Sequence, residues 1–425
     1  MDTRRIQELI RHGEFDQKFI DIYVDQNKLE YQKERYIKAI AKFEENYGNG
    51  EVKIFSAPGR SEISGNHTDH QHGKVLACAI NVDAIGVVRQ IAEKEVKVIS
   101  DGAKEIVVDM TDLTIREEEK GTTLALIKGV LAGFLAKGYQ IGGFQAYITS
   151  DVLIGSGVSS SAAFETLIGA MLSGLYNNMM VSAVEIAMIG QFAENIYFGK
   201  PCGLMDQMAC SIGSLAYIDF KNPENPTVEK ITFNMEEYGY SLCITDTKGS
   251  HADLTDEYAA VPEEMKKVAN YFGKEVLSEI SEEELVSHIA EMREQISDRC
   301  LLRAIHFFSE NKRVEEEVDA LKSGNIKEFL EKVKASGNSS YKFLQNVYSV
   351  KDVQKQNVSL ALALSETILE NEGVCRVHGG GFAGTIQAFV KNEEVKKYQD
   401  YMNQIFGADS CSVLKIRKYG GIQVL

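Results

Sequence analysis

The sequence predicts an α+β protein of two lobes behind a short helical extension, and three observations predict it. Strand-like and helix-like stretches mix along the chain without a regular βαβ period. At 425 residues the chain exceeds one ordinary domain. Two of only five prolines fall together in Lys221-Asn222-Pro223-Glu224-Asn225-Pro226-Thr227, a break in composition that reads as a boundary. The expected organisation is a helical extension over 1–48, a first lobe over 49–222 and a second lobe over 223–425.

The elements follow in order. Ile6, Leu9 and Ile10 share one helical face, and Tyr31, Tyr36, Ile37, Ile40 and Phe43 share another. Val52, Ile54 and Ser56 alternate as in a strand, which Ala57-Pro58-Gly59 is expected to break. Further strands are expected over 75–80, 85–88, 96–99 and 106–109. Apolar spacing predicts a helix over 124–135. A strand over 144–148 leads into a Gly/Ser-rich loop at 155–161, and helices follow over 162–176 and 184–197. The second half opens with a strand at 242–245 and continues through a charged, helix-rich stretch at 262–335. Gly379-Gly380-Gly381 precedes a strand at 385–390, and the last strand, 413–418, precedes Gly420-Gly421.

Composition narrows the function. A net charge of −16 repels nucleic acid and anionic membrane, so any phosphate-bearing ligand must be held by local backbone and local cations. The seven cysteines show no C-x-x-C spacing, which suggests free thiols in a reducing compartment. The first eight residues are charged and lack an apolar signal region, and no run of 18 apolar residues occurs. A cytoplasmic location is expected. Neither G-x-G-x-x-G after a first strand nor G-x-x-x-x-G-K-[ST] is present, so Rossmann and Walker-type nucleotide sites are not supported.

Four segments carry chemistry. Gly155-Ser156-Gly157-Val158-Ser159-Ser160-Ser161 lies directly before an apolar helix. Glycines let backbone approach an anion, the helix N-terminus supplies unsatisfied N–H donors, and serine hydroxyls can bond phosphate or ligate Mg²⁺. An ordinary Gly/Ser loop with a helix cap has the same composition. Lys200-Pro201-Cys202-Gly203-Leu204-Met205-Asp206-Gln207 places Asp206 among small and apolar residues. It is either a cap or satisfied buried carboxylate, or a carboxylate that orients and deprotonates a hydroxyl. Gly59 to His70 gathers Arg60, Asn66, His67 and Asp69, types that suit phosphate and sugar hydroxyls. A metal on His67, His70 and His72 is not expected, because no acidic or Cys partner stands at ligand spacing. His378-Gly379-Gly380-Gly381-Phe382-Ala383-Gly384 is either a tight turn or a close approach of backbone to a ligand.

Together these segments resemble the GHMP family of small-molecule kinases, and within it the galactokinase branch, over about residues 51–425. Ala57-Pro58-Gly59-Arg60 with Gly65, His67, Thr68 and Asp69 is similar to the branch's N-terminal signature. Gly155 to Ala163 resembles the family's phosphate-binding motif, and Gly379 to Gly384 its third motif. Phe192-Ala193-Glu194 with Gly199 to Gln207, His306 to Val314, and Ser339-Ser340-Tyr341 with Val347 to Val350 are also similar to that branch.

The resemblance implies a two-lobed GHMP kinase fold, with an N-terminal lobe like domain 2 of ribosomal protein S5 and a ferredoxin-like C-terminal lobe. It implies ATP and Mg²⁺ as cofactors and a small galactose-like sugar phosphorylated at its C1 hydroxyl. Asp206 would be the catalytic carboxylate, and Arg60 would stabilise the transferring phosphoryl group. Gly155, Ser156, Gly157, Ser159, Ser160 and Ser161 would cradle the nucleotide, and Ser161 and Glu194 would hold Mg²⁺. Asn66, His67, Asp69, Gly203 and Tyr258 would contact the sugar. The chain departs from the branch's usual signature at three positions: Glu62 stands for Asn, Asn66 for Glu and His70 for Tyr. The usual Glu is associated with the sugar's C6 hydroxyl. Asn66 removes that charge and could instead donate to a carboxylate, which makes galacturonate a competing substrate. A non-catalytic sugar and ATP sensor is the expectation from a different class.

Overall fold

The computed structural model describes residues 1–152, 157–249 and 254–425. The extension forms α1 (Thr3–Arg11), α2 (Asp16–Tyr23) and α3 (Leu29–Tyr47). The strands of the described residues are β1 (Lys53–Ser64), β2 (Lys74–Gln90), β3 (Glu95–Ser100), β4 (Ile106–Asp109), β5 (Phe144–Ser150), β6 (Leu215–Asp219), β7 (Thr227–Ile231), β8 (Tyr240–Asp246), β9 (Val374–Val377), β10 (Thr385–Lys391), β11 (Cys411–Leu414) and β12 (Ile422–Gln423). The first sheet runs β12-β1-β2-β5-β3-β4, with the β6–β7 hairpin also joined to β2. The second is antiparallel, β11-β8-β10-β9.

Alternation along the strands explains the layers of the first lobe. Ile54, Ile85, Val87 and Tyr147 point toward Tyr36, Ile40 and Phe43 of the extension. Their neighbours Phe55, Val88 and Ala146 face the opposite side. That side is covered by α4 (Thr123–Ala136), α5 (Ser160–Tyr176), α6 (Ala183–Phe192) and α7 (Met205–Ile212). The extension is thus one of three layers of the lobe.

Three expectations are corrected. First, β1 runs through Ala57-Pro58-Gly59, with a register shift between Pro58 and Arg60. Proline is tolerated where a bulge interrupts the ladder, and Arg60 N turns away to donate to Val158 O at 3.1 Å. Second, 75–80 and 85–88 are one strand, β2, whose alternation is masked because nearly all of it is buried on both faces. Third, Lys221–Thr227 is not the passage between lobes. It is the turn of the β6–β7 hairpin, with Asp219 opposite Thr227. The boundary expected at 222/223 falls inside the first sheet, and β12 also returns to it beside β1.

In the second lobe, Leu242 and Ile244 of β8 and Phe389 of β10 face α10 (Asp298–Lys322) and α11 (Ile326–Ser339). Cys243, Ile386 and Ala388 face α12 (Asn357–Leu369) and α13 (Val395–Phe406). Helices α8 (Thr255–Tyr271) and α9 (Glu282–Met292) pack with α10 as a separate cluster. One core continues from Ile63, Cys78 and Ala162 of the first lobe into Leu242, Val314 and Phe389 of the second. This shared core fixes the lobes around the site.

Candidate active site

Arg60 leaves β1 just after the bulge and is 5% exposed. Its guanidinium grips Asp206 with both ends: Nε donates to Oδ1 at 2.7 Å and Nη2 to Oδ2 at 3.0 Å. Nη1 donates to Gly157 O at 2.6 Å. Asp206 lies in the first turn of α7, where a carboxylate also meets the helix dipole favourably. Ser159 Oγ donates to Asp206 Oδ2. Burial works to raise the Asp206 pKa. The Arg60 charge and the hydrogen bonds from Arg60 and Ser159 outweigh it and hold the carboxyl down at about 2.

Ser159 caps α5 with φ +60°, and Ser160 and Ser161 begin the helix. The free N–H groups of α5 therefore open beside Asp206, as an anion site requires. Gly157 has φ +73°, and a Cβ there would stand 2.2 Å from Thr385 Oγ1. Only glycine fits this junction of the lobes. Gly155 and Ser156 lie outside the described residues.

The helix expected over 184–197 is instead α6 followed by a π-helical turn, Ala193–Phe198. The turn carries Glu194 to Ser161, whose Oγ donates to Oε1 at 3.0 Å. π-turns often mark functional positions. Gln207 Nε2 bridges Glu194 Oε2 at 2.8 Å and Glu165 Oε2 at 3.1 Å. Among the described residues, no group of three or more His, Cys, Asp or Glu forms a metal-binding cluster. Ser161 and Glu194 are nonetheless hard oxygen donors beside the mouth of α5. Such a sparse set suits Mg²⁺, which takes much of its shell from water and phosphate.

The third group faces Asp206 from Gly65 to His70. Asp69 Oδ2 accepts from Met205 N at 3.2 Å. A Cβ on Gly203 would stand 1.8 Å from the same oxygen, so Gly203 makes room for Asp69. His67 Nε2 donates to Gly380 O at 3.0 Å, and its ring stacks on His70. Burial, with His70 beside it, pushes the His67 pKa down to about 4, so the ring is neutral at pH 7. Tyr258 Oη donates to Gly381 O at 2.8 Å. The Gly379–Gly381 turn reaches toward Arg60 and Gly157: among the described residues, a Cβ on Gly379 would meet only Gly157 O at 3.8 Å and Arg60 Nη2 at 3.9 Å.

Asn66, an expected sugar contact, has its side chain engaged by protein groups. It is fully buried. Its Nδ2 donates to Glu62 Oε1 at 3.0 Å and Gly379 O at 2.7 Å. Its Oδ1 accepts from Asn346 at 2.7 Å and Ser340 at 3.2 Å. His306 Nε2 donates to Asn66 O at 2.9 Å. The segments around 306 and 340 therefore support this residue from behind. Glu62, also buried, pairs with Arg376 of β9 at 3.2 Å. Burial raises its pKa to about 7 even so. Sequence reasoning missed Gln207, Arg376 and Asn346. Gln207 adjoins Asp206 in a motif already singled out; Arg376 and Asn346 left no local signal.

The fold and this arrangement define a class, the GHMP small-molecule kinases. The family described as "GHMP kinases N terminal domain" matches residues 125–214, and the one described as "Galactokinase galactose-binding signature" matches residues 41–90. The galactokinase of Glaesserella parasuis serovar 5 is 31% identical over 362 residues, covering 83% of this chain and 89% of that protein. The galactokinase of Lactococcus lactis subsp. lactis is 28% identical, covering 86% and 90%. The crystal structure of Lactococcus lactis galactokinase complexed with galactose superposes with a TM-score of 0.77 at 25% identity, covering 90% of this chain and 98% of that one. Methanococcus jannaschii mevalonate kinase, at 16% identity and a TM-score of 0.60, shares the fold. The chain belongs to the galactokinase family of GHMP kinases.

Proposed function

We propose that this protein transfers the γ-phosphoryl group of ATP to the C1 hydroxyl of galactose. The observation that carries the reading is Asp206, held ionised by Arg60 and Ser159 at the open N-terminus of α5. The α5 N–H groups and Ser159, Ser160 and Ser161 bind the phosphates. Arg60 offsets charge that develops on the transferring group. Asp206 orients the attacking hydroxyl through its free lone pairs. With a pKa of about 2 it is a weak base, so the proton moves late, once bonding to phosphorus has made the hydroxyl acidic. Mg²⁺ on Ser161 and Glu194 would neutralise phosphate charge. Asp69, His67 and Tyr258, spaced by Gly203 and the glycine turn, shape the sugar side. The intact Asp206, Arg60 and serine run favour catalysis over a sensor.

The structure of the Asn66 pocket favours a neutral sugar over galacturonate. The Asn66 amide is spent on Glu62 and Gly379, so it has no donor to offer a carboxylate. Glu62 beneath it is paired with Arg376, so that guanidinium is not free for a sugar carboxylate either. ADP release with MgATP and galactose, galacturonate, N-acetylgalactosamine, glucose or no sugar tests the reading. Turnover is expected with galactose and at background with galacturonate; the reverse order would overturn it.

Gly203→Ala is expected to lower kcat/KM for the sugar by about 10²-fold, because the new methyl group displaces Asp69. An unchanged KM would remove Asp69 from the sugar side. We assign the reaction to the cytoplasm, in keeping with seven free cysteines; no helix among the described residues is long and apolar enough to cross a membrane.

A further inference from the structure

We propose that the Lys200 ammonium is a tethered counter-ion that competes with the divalent cation for the Glu194 carboxylate. The proposal rests on the reading of Ser161 and Glu194 as metal donors.

Lys200 Nζ donates to Glu194 Oε1 at 3.1 Å, the same oxygen that accepts from Ser161 Oγ at 3.0 Å. The other oxygen is committed to Gln207. The ammonium and a metal bridging Ser161 to Glu194 would therefore use one carboxylate oxygen. Two cations on one oxygen repel each other, and an ammonium donates hydrogen bonds but cannot ligate, so the two compete.

The two partners are unequal in mobility. The Glu194 side chain is 3% exposed, whereas that of Lys200 is 62% exposed. The backbone beneath them is pinned, because Lys200 N donates to Glu194 O at 3.1 Å and closes the π-helical turn. Only the four-carbon stem of Lys200 has to move for the oxygen to become free.

The surroundings give the ammonium a reason to be there. Glu194 and Asp206 both lie at this end of α5, and Arg60 is committed to Asp206 and Gly157. Before metal arrives, Lys200 holds the remaining negative charge in check. When metal arrives, the displaced ammonium stays tethered beside the phosphate site. The exposed side of such a pair makes it cheap to break, as exchange during turnover requires.

The test is a Mn²⁺ titration of the full-length, nucleotide-free protein, followed by electron paramagnetic resonance, for wild type, Lys200→Met and Glu194→Gln. Circular dichroism melts check that all three are folded. Lys200→Met is expected to bind Mn²⁺ about three- to five-fold more tightly than wild type, the worth of one partly exposed ion pair. Glu194→Gln is expected to lose the site. Equal or weaker binding by Lys200→Met, with the site lost in Glu194→Gln, overturns the proposal and leaves the metal reading standing. Wild-type affinity in Glu194→Gln overturns the metal reading and the proposal with it.

Discussion

Asp206→Asn is expected to lower kcat by about 10³-fold while the protein still melts cooperatively. The fold tolerates the change because the amide oxygen still accepts from Arg60 and the side chain is 33% exposed. The rate does not tolerate it because the amide loses the negative charge facing the hydroxyl. The pH dependence sharpens the test. A carboxyl whose folded pKa is depressed from 3.8 to about 2 stabilises the fold above pH 3.8, and that stabilisation is lost as pH falls toward 2. Asp206 therefore stays ionised throughout pH 5–8. Any acid limb of kcat/KM in that window belongs to another group and should persist in the residual activity of the variant. Near-normal turnover by Asp206→Asn would remove it from the mechanism.

Deleting residues 1–48 is expected to abolish soluble, cooperatively folded protein, the largest stability effect foreseen. The extension covers Ile54, Ile85, Val87 and Tyr147 on one face of the first sheet. It also supplies Arg35, whose Nη1 donates to the fully buried Asp83 at 2.6 Å and lies 3.2 Å from Asp151. Arg417 of the C-terminal segment meets Asp83 from the other side at 3.0 Å. Arg35→Met tests the same point without truncation. Removing one partner of a buried pair costs about 3–5 kcal/mol, so its chemical-denaturation midpoint should fall clearly below that of wild type. A truncated chain that melts like the intact one would show that the extension is an appendage. Tyr31 and Arg35 of the extension thus also hold Asp151, just beyond the end of β5.

Most helices were legible because amphipathic spacing is local. Ile6, Ile10, Tyr36 and Phe43 are buried in the extension, as their spacing predicts. The strands at 96–99, 106–109 and 144–148 were legible for the same reason. Errors arose where local rules gave way to pairing. Pro58 reads as a breaker, yet a bulge accommodates it; the two prolines after Lys221 read as a boundary, yet they sit in a hairpin turn. Alternation in β2 vanished because both of its faces are covered.

The candidate site divides in the same way. Residue types with distinct chemistry, such as Arg60, Asp206, the serine run and Glu194, stand in motifs that could be read in order along the chain, and the structure brings the described ones together. The role of Asn66 could not be read so. Its neighbours in sequence give no sign that Ser340 and Asn346, about 280 residues away, meet its amide oxygen. Glu62 likewise meets Arg376 across 314 residues. By itself the sequence determined the chemistry on offer, the family resemblance and the helical extension, because residue type and short-range spacing encode these. Only the tertiary structure decided the lobe boundary, the bracing of Asp83 and Asp151, and the burial of Asn66 behind the site. Those depend on which distant groups meet when the lobes close, and burial there turns an exposed polar side chain into one that must satisfy its hydrogen bonds inside the protein.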